Sequence, residues 1–85
     1  MLTIKEIMAI PVPDRERFIN VERGGFYLRL TPMGGRYWYY RYKFEGIEAK
    51  YKLGVLTHPN SNQTVMSLAS ARKHFWFEKS RVPNG

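Results

Sequence analysis

Between Arg36 and Leu53 the chain alternates rings and charges on either side of a Glu45-Gly46 pair, and that pattern favours one hairpin register. A two-residue turn at Glu45-Gly46 sets Phe44 opposite Ile47, Tyr42 opposite Ala49, Tyr40 opposite Tyr51 and Trp38 opposite Leu53, every pair apolar or aromatic. The other face then pairs Lys43 with Glu48, Arg41 with Lys50 and Tyr39 with Lys52. Side chains alternate between the two sides of a strand, so a slip of one residue would bury the charges and expose the rings.

FYLRLT, residues 26–31, continues the pattern, with Phe26, Leu28 and Leu30 on one side and Tyr27, Arg29 and Thr31 on the other. Leu30 is expected opposite Trp38 and Leu28 opposite Tyr40, leaving Met33-Gly34-Gly35 at the tip. A sheet with one apolar face needs a second layer to cover it. The segment that supplies it begins at Ser67, an N-cap residue, and Leu68, Ala71, Phe75 and Val82 recur at helical spacing over about three to four turns. VLTHPNSNQTV, residues 55–65, reads as loop by composition.

At the other end, Thr3 followed by Glu6 fits a capping box, with Ile4, Ile7 and Met8 on the apolar side of a short helix that Pro11 and Pro13 stop. Asp14 to Arg17 reads as a charged loop, and Phe18 to Val21 as a short extended piece before a Gly24-Gly25 turn. Pro83-Asn84-Gly85 resembles a linker and points to a fragment of a longer protein. The expectation is a single α+β domain over residues 1–85: a three-stranded antiparallel sheet packed against a C-terminal helix, with a short N-terminal helix.

Several function classes fall away. The chain has no cysteine, and His58 and His74 lack the spacing of metal ligands, so neither a metal nor another cofactor is expected. No phosphate loop or nucleophile elbow occurs. Asp14, Glu16, Glu22, Glu45 and Glu48 show no paired-carboxylate spacing, so a non-catalytic binding module without a small-molecule substrate is expected. The N-terminus has neither the apolar run of a signal peptide nor that of a membrane span.

What remains is charge. Fourteen Lys and Arg against seven Asp and Glu give a net charge of +7, which points to a polyanionic partner. On the outer face, Tyr27, Arg29 and Thr31 line the first strand, Tyr37, Tyr39, Arg41 and Lys43 the second, and Glu48, Lys50 and Lys52 the third. Arg36, at the start of the second strand, joins the candidate contact set. Arg41 directly opposite Lys50 should destabilise a sheet, whereas a phosphate backbone laid across the two would favour them. Other readings stay open: a solvated face carrying ordinary lysines, exposed Tyr37 and Tyr39 stacking on single-stranded DNA or RNA, or a basic surface for acidic proteins or membranes. Trp76 and Phe77 read as helix packing residues, and His58 and His74 as ordinary polar positions.

LT..EI.AI at residues 2–10, GGFYLRLTPMGGRYWYYRYKFEG at 24–46, KLG at 52–54 and MSLASAR at 66–72, in this order, resemble the N-terminal arm-type DNA-binding domains of phage and genomic-island integrases, which are tyrosine recombinases. The resemblance implies a three-stranded sheet packed on a helix and applied to double-stranded DNA. Carried over by position, Arg29, Tyr39, Arg41, Lys43, Lys50 and Lys52 would face the DNA. It further implies that catalysis resides in a separate C-terminal domain beyond residue 85, that other integrase protomers are met only through such further domains, and that the protein works in a bacterial cytoplasm. The loop between Gly54 and Met66 is longer than the family's turn, and Ser70 stands where the family has an acidic residue.

Overall fold

A computed structural model describes residues 2–61 and 63–81. Thr3 opens the first helix as its sequence predicts. Its Oγ1 accepts a hydrogen bond from the Glu6 N–H at 3.3 Å, and Glu6 Oε1 accepts from the Thr3 N–H at 3.0 Å. The helix, α1 (Ile4–Met8), buries Ile7 completely. Four antiparallel strands follow in sheet order β1 (Arg17–Glu22), β2 (Phe26–Leu30), β3 (Arg36–Phe44) and β4 (Ile47–Thr57), and then α2 (Leu68–Arg81). Val82, expected on the helix's apolar side, and the linker-like Pro83-Asn84-Gly85 lie outside the described residues.

The fourth strand corrects the expectation of three. Phe18 to Val21 is part of β1, which pairs with β2 from Arg17↔Leu30 to Glu22↔Phe26. A bulge between Asn20 and Glu22 breaks the period of two that marks the other strands, and its buried Val21 also accepts the Leu2 N–H at 3.1 Å.

The β2–β3 pairing differs by two residues from the expected one: Leu28 faces Trp38, Phe26 faces Tyr40, and Leu30 faces Arg36. The connection is short because it closes on itself. Thr31 N–H donates to Gly35 O at 3.1 Å, and Gly35 N–H returns a bond to Thr31 Oγ1 at 3.0 Å.

In the β3–β4 hairpin the expected register holds from Phe44↔Ile47 to Tyr39↔Lys52. Beyond it Trp38 faces Gly54, leaving Leu53 as an unpaired bulge residue. Gly54 leaves room for Met66: a Cβ there would sit 2.5 Å from the thioether. Strand β4 also runs on to Thr57, through residues that composition assigned to the loop. Its outer edge is covered at that end, since Val65 and Met66 donate to Leu56 O and Val55 O at 2.7 and 2.9 Å. The Trp38 indole N–H bonds Met66 O at 2.9 Å and ties the loop to the sheet.

Ser67 caps α2 by accepting the Ser70 N–H at 3.2 Å. From α2, Phe75 drives into the sheet: it stacks on Phe26 at 5.0 Å and 13°, and meets the edge of Tyr40 at 5.3 Å and 84°. Arg72 of the same helix pairs with Glu22 of β1 at 3.0 Å. Ile7, Val21, Phe26, Leu28, Leu30, Trp38, Tyr40, Leu56, Ala71 and Phe75 form the buried cluster. Two inward assignments need correction. Phe44 and Ile47 are 46% and 71% exposed because the far end of the hairpin outruns the helix, whose Glu78 and Arg81 only border that end, and Tyr51 is 46% exposed on the edge strand β4 although its partner Tyr40 is buried. Trp76 and Phe77 are more than half exposed, since positions next to Phe75 on a helix turn away from the sheet.

Gly25 has φ +102°, and a Cβ on it would lie 2.1 Å from the carbonyl oxygen of Arg41, whose N–H bonds Gly25 O at 2.8 Å. Gly46 has φ +79° and open space around it. Gly46→Ala is therefore expected to lower stability by about 1–2 kcal/mol, the conformational strain alone. Gly25→Ala adds a backbone clash, and a loss of about 3 kcal/mol or more is expected. Chemical denaturation of both variants checks this, and equal losses would contradict the close approach.

Candidate nucleic-acid interface

Opposite the core, the sheet presents Phe18 and Asn20 from β1, Tyr27 and Arg29 from β2, Tyr37, Tyr39, Arg41 and Lys43 from β3, and Glu48, Lys50 and Lys52 from β4. Two rows cross all four strands: Phe18–Arg29–Tyr37–Val55 and Asn20–Tyr27–Tyr39–Lys52. Charges and rings thus become neighbours across the strands as well as along them.

The cations lie over the rings. Arg41 Cζ sits 4.8 Å from the centre of Tyr27, Lys50 Nζ 4.6 Å from Phe18, and Lys52 Nζ 4.8 Å from Tyr37. Arg29 Cζ lies 5.7 Å from Tyr37 and 6.0 Å from Tyr39. Such contacts contribute about 0.5–1 kcal/mol each at exposed sites. They also resolve the juxtaposition of Arg41 and Lys50. Arg41 turns to Tyr27 and to Glu48, which it meets at 2.7 Å, while Lys50 crosses to Phe18. The sheet itself therefore supplies a reason for both charges, contrary to the sequence expectation.

Arg29 is the most constrained cation of the face. Its Nη2 pairs with Glu16, from the segment ahead of β1, and its Nη1 donates to Tyr39 Oη at 3.3 Å. The Glu16 hydrogen bond pushes the guanidinium pKa above its ordinary value, with burial opposing and Tyr39 assisting. Nε of the same side chain is buried and has no hydrogen-bond partner among the described residues. Phe18 presses its neighbour Tyr39 edge-on at 5.5 Å and 88°.

Tyr27, Arg29, Tyr37, Tyr39, Arg41, Lys43, Lys50 and Lys52 are thus brought together on one face, as the alternation predicts. Arg36 is not: opposite the buried Leu30 it belongs to the inward row, and its Nη1 donates to Thr57 Oγ1 at 3.1 Å. Thr31 lies in the β2–β3 loop, where its hydroxyl is bonded to Gly35. Glu16 and Phe18 were not foreseen. Period two in Phe18 and Asn20 is the signal that would have placed Phe18; no local signal connects Glu16 with Arg29. Among the described residues no cluster of His, Cys, Asp and Glu could hold a metal ion, and no helix is long and apolar enough to cross a membrane.

A family model described as an arm DNA-binding domain matches residues 2–82. Comparison with curated proteins finds no match.

Adjacent residues of β3 test the face assignment. Tyr40 is 5% exposed and its phenol pKa is pushed up by burial, whereas Arg41 points outward. Tyr40→Ala is expected to cost about 3–5 kcal/mol, enough to unfold much of a small domain. Arg41→Ala loses an exposed ion pair and one ring contact, about 1 kcal/mol. Thermal melts decide between the faces: an Arg41 variant that melts below the Tyr40 variant would reverse the assignment.

Proposed function

Because the chain belongs to the arm DNA-binding domains, the N-terminal arm-type domains of integrases, we propose that it binds double-stranded DNA sequence-specifically through the outer face of its sheet. Bound there, it anchors a tyrosine integrase to arm-type sites during site-specific recombination. The domain is a non-catalytic module, and strand exchange belongs to other domains of a parent integrase encoded by a phage or other mobile element and working in the cytoplasm.

One observation carries the reading: Arg29, Arg41, Lys43, Lys50 and Lys52 share one face, and all but Lys43 lie over rings of that face. Side chains already laid on rings have less rotamer freedom to lose when they meet a polyanion. Strands can enter the major groove, where arginine reads guanine and lysine meets phosphate. Stacking on single-stranded bases fits less well, because cations already lie over Tyr27, Tyr37 and Phe18.

If about four phosphates are neutralised, log K against log salt falls with a slope of about −4. Lys52→Ala is expected to reduce that slope by about one, with a similar loss of affinity on every duplex. Filter or fluorescence titrations at several salt concentrations read both quantities. Binding that ignores salt, or that favours a single strand over the duplex, would contradict the proposal. Purified protein is also expected to leave supercoiled plasmid uncut, and nicking above the buffer rate would count against a non-catalytic role.

A further inference from the structure

We propose that Glu16 and Glu48 are positioning residues for specificity: they hold Arg29 and Arg41 as base readers and leave phosphate contact to the lysines. The inference rests on the outer face being the DNA surface. The cations of that face fall into two kinds. Arg29 and Arg41 each combine a carboxylate with a ring: Glu16 with Tyr37 and Tyr39 for the first, Glu48 with Tyr27 for the second. Lys50 and Lys52 lie on rings through a flexible stem.

This pairing changes what each arginine can do. A phosphate asks for a positive charge within reach and tolerates many directions of approach. A base edge asks for two N–H groups in a set orientation, as guanine O6 and N7 do. An arginine beside a carboxylate contributes little net charge, so it releases few counterions and gains little from phosphate. Its orientation, however, is restricted from two sides. Glu48 Oε1 takes Nη2 of Arg41 at 2.7 Å while Cζ lies 4.8 Å from the centre of the Tyr27 ring. Arginine has five N–H donors, so Arg41 keeps others for a base, whereas Arg29, with Nε buried, can offer only its terminal N–H groups. Arg29 is held more tightly, by Glu16, the Tyr39 hydroxyl and two rings. Both arginines are about one-third exposed, at 32% and 33%, enough to be reached from the groove.

The test uses a duplex selected by the wild-type chain from a randomised pool at about 150 mM salt, with poly(dA-dT), which lacks the guanine O6/N7 pair, as the non-specific probe. Glu48→Ala and Glu16→Ala are expected to bind poly(dA-dT) a few-fold more tightly, because a negative charge is removed from the face. Their preference for the selected duplex is expected to fall about tenfold, the scale of one bidentate base contact. A loss of folding would lower both affinities, so opposite shifts identify positioning. The double variant Lys50→Ala/Lys52→Ala is expected to weaken both duplexes by a common factor. Equal tightening of Glu48→Ala and Glu16→Ala on both duplexes would overturn the inference, and so would a selection that enriches no sequence. If the double lysine variant binds duplex as tightly as wild type, the outer face is not the DNA surface, and that reading falls as well.

Discussion

The ring of Phe75 between Phe26 and Tyr40 is the contact on which the other layers depend. A sheet of this size cannot cover its own apolar side, and α2 reaches it chiefly through Phe75 and Ala71, both fully buried. Stacking on Phe26 and edge contact with Tyr40 engage β2 and β3, the two central strands, from one side chain. Phe26 in turn touches Trp38 at 5.5 Å, and Trp38 bonds the loop that leads back into α2. The aromatic cluster therefore joins helix, sheet and loop in one closed circuit. Lys79 lies over Phe75 and Trp76 at its rim, 5.5 and 5.3 Å from their centres.

With the core satisfied on one side, the opposite face is free for charge. The same alternation that sends Trp38 and Tyr40 inward sends Tyr37, Tyr39 and Arg41 outward, so the binding face follows from the folding register. Rings on the outer face are not surplus hydrophobic surface. They separate like charges by giving Arg41 and Lys50 different partners, which lets a basic surface exist on a small sheet without strong repulsion. The carboxylates of Glu16 and Glu48 extend the same arrangement to Arg29 and Arg41.

The β3–β4 hairpin was legible because a shift of one residue would have exchanged its faces. A shift of two leaves the faces intact, and for that reason alternation alone could not distinguish Leu28 opposite Tyr40 from Leu28 opposite Trp38. The hydrogen bonds of Thr31 with Gly35 decided it. Leu53 left the ladder beside Gly54, where a residue distant in sequence, Met66, packs close to the backbone, and β1 stayed hidden behind its bulge at Val21. Exposure of Phe44 and Ile47 depends on where α2 ends relative to the hairpin, which periodicity does not encode. Of the candidate site, the strand positions were readable by parity. Arg36 shares the parity of the inward Trp38 and Tyr40, so alternation alone sets it apart from the outer face, and Glu16 reaches Arg29 only through the three-dimensional path of the chain ahead of β1.

The central claim is that duplex DNA meets the outer face of the sheet and not the helix. Aromatic-ring NMR signals report this directly, because the two sides carry different rings. On adding duplex DNA, the ring resonances of Phe18, Tyr27, Tyr37 and Tyr39 are expected to move, while those of the exposed Trp76 and Phe77 on α2 stay in place. Movement of Trp76 and Phe77 with unchanged tyrosine signals would put the DNA on the helix and contradict the claim.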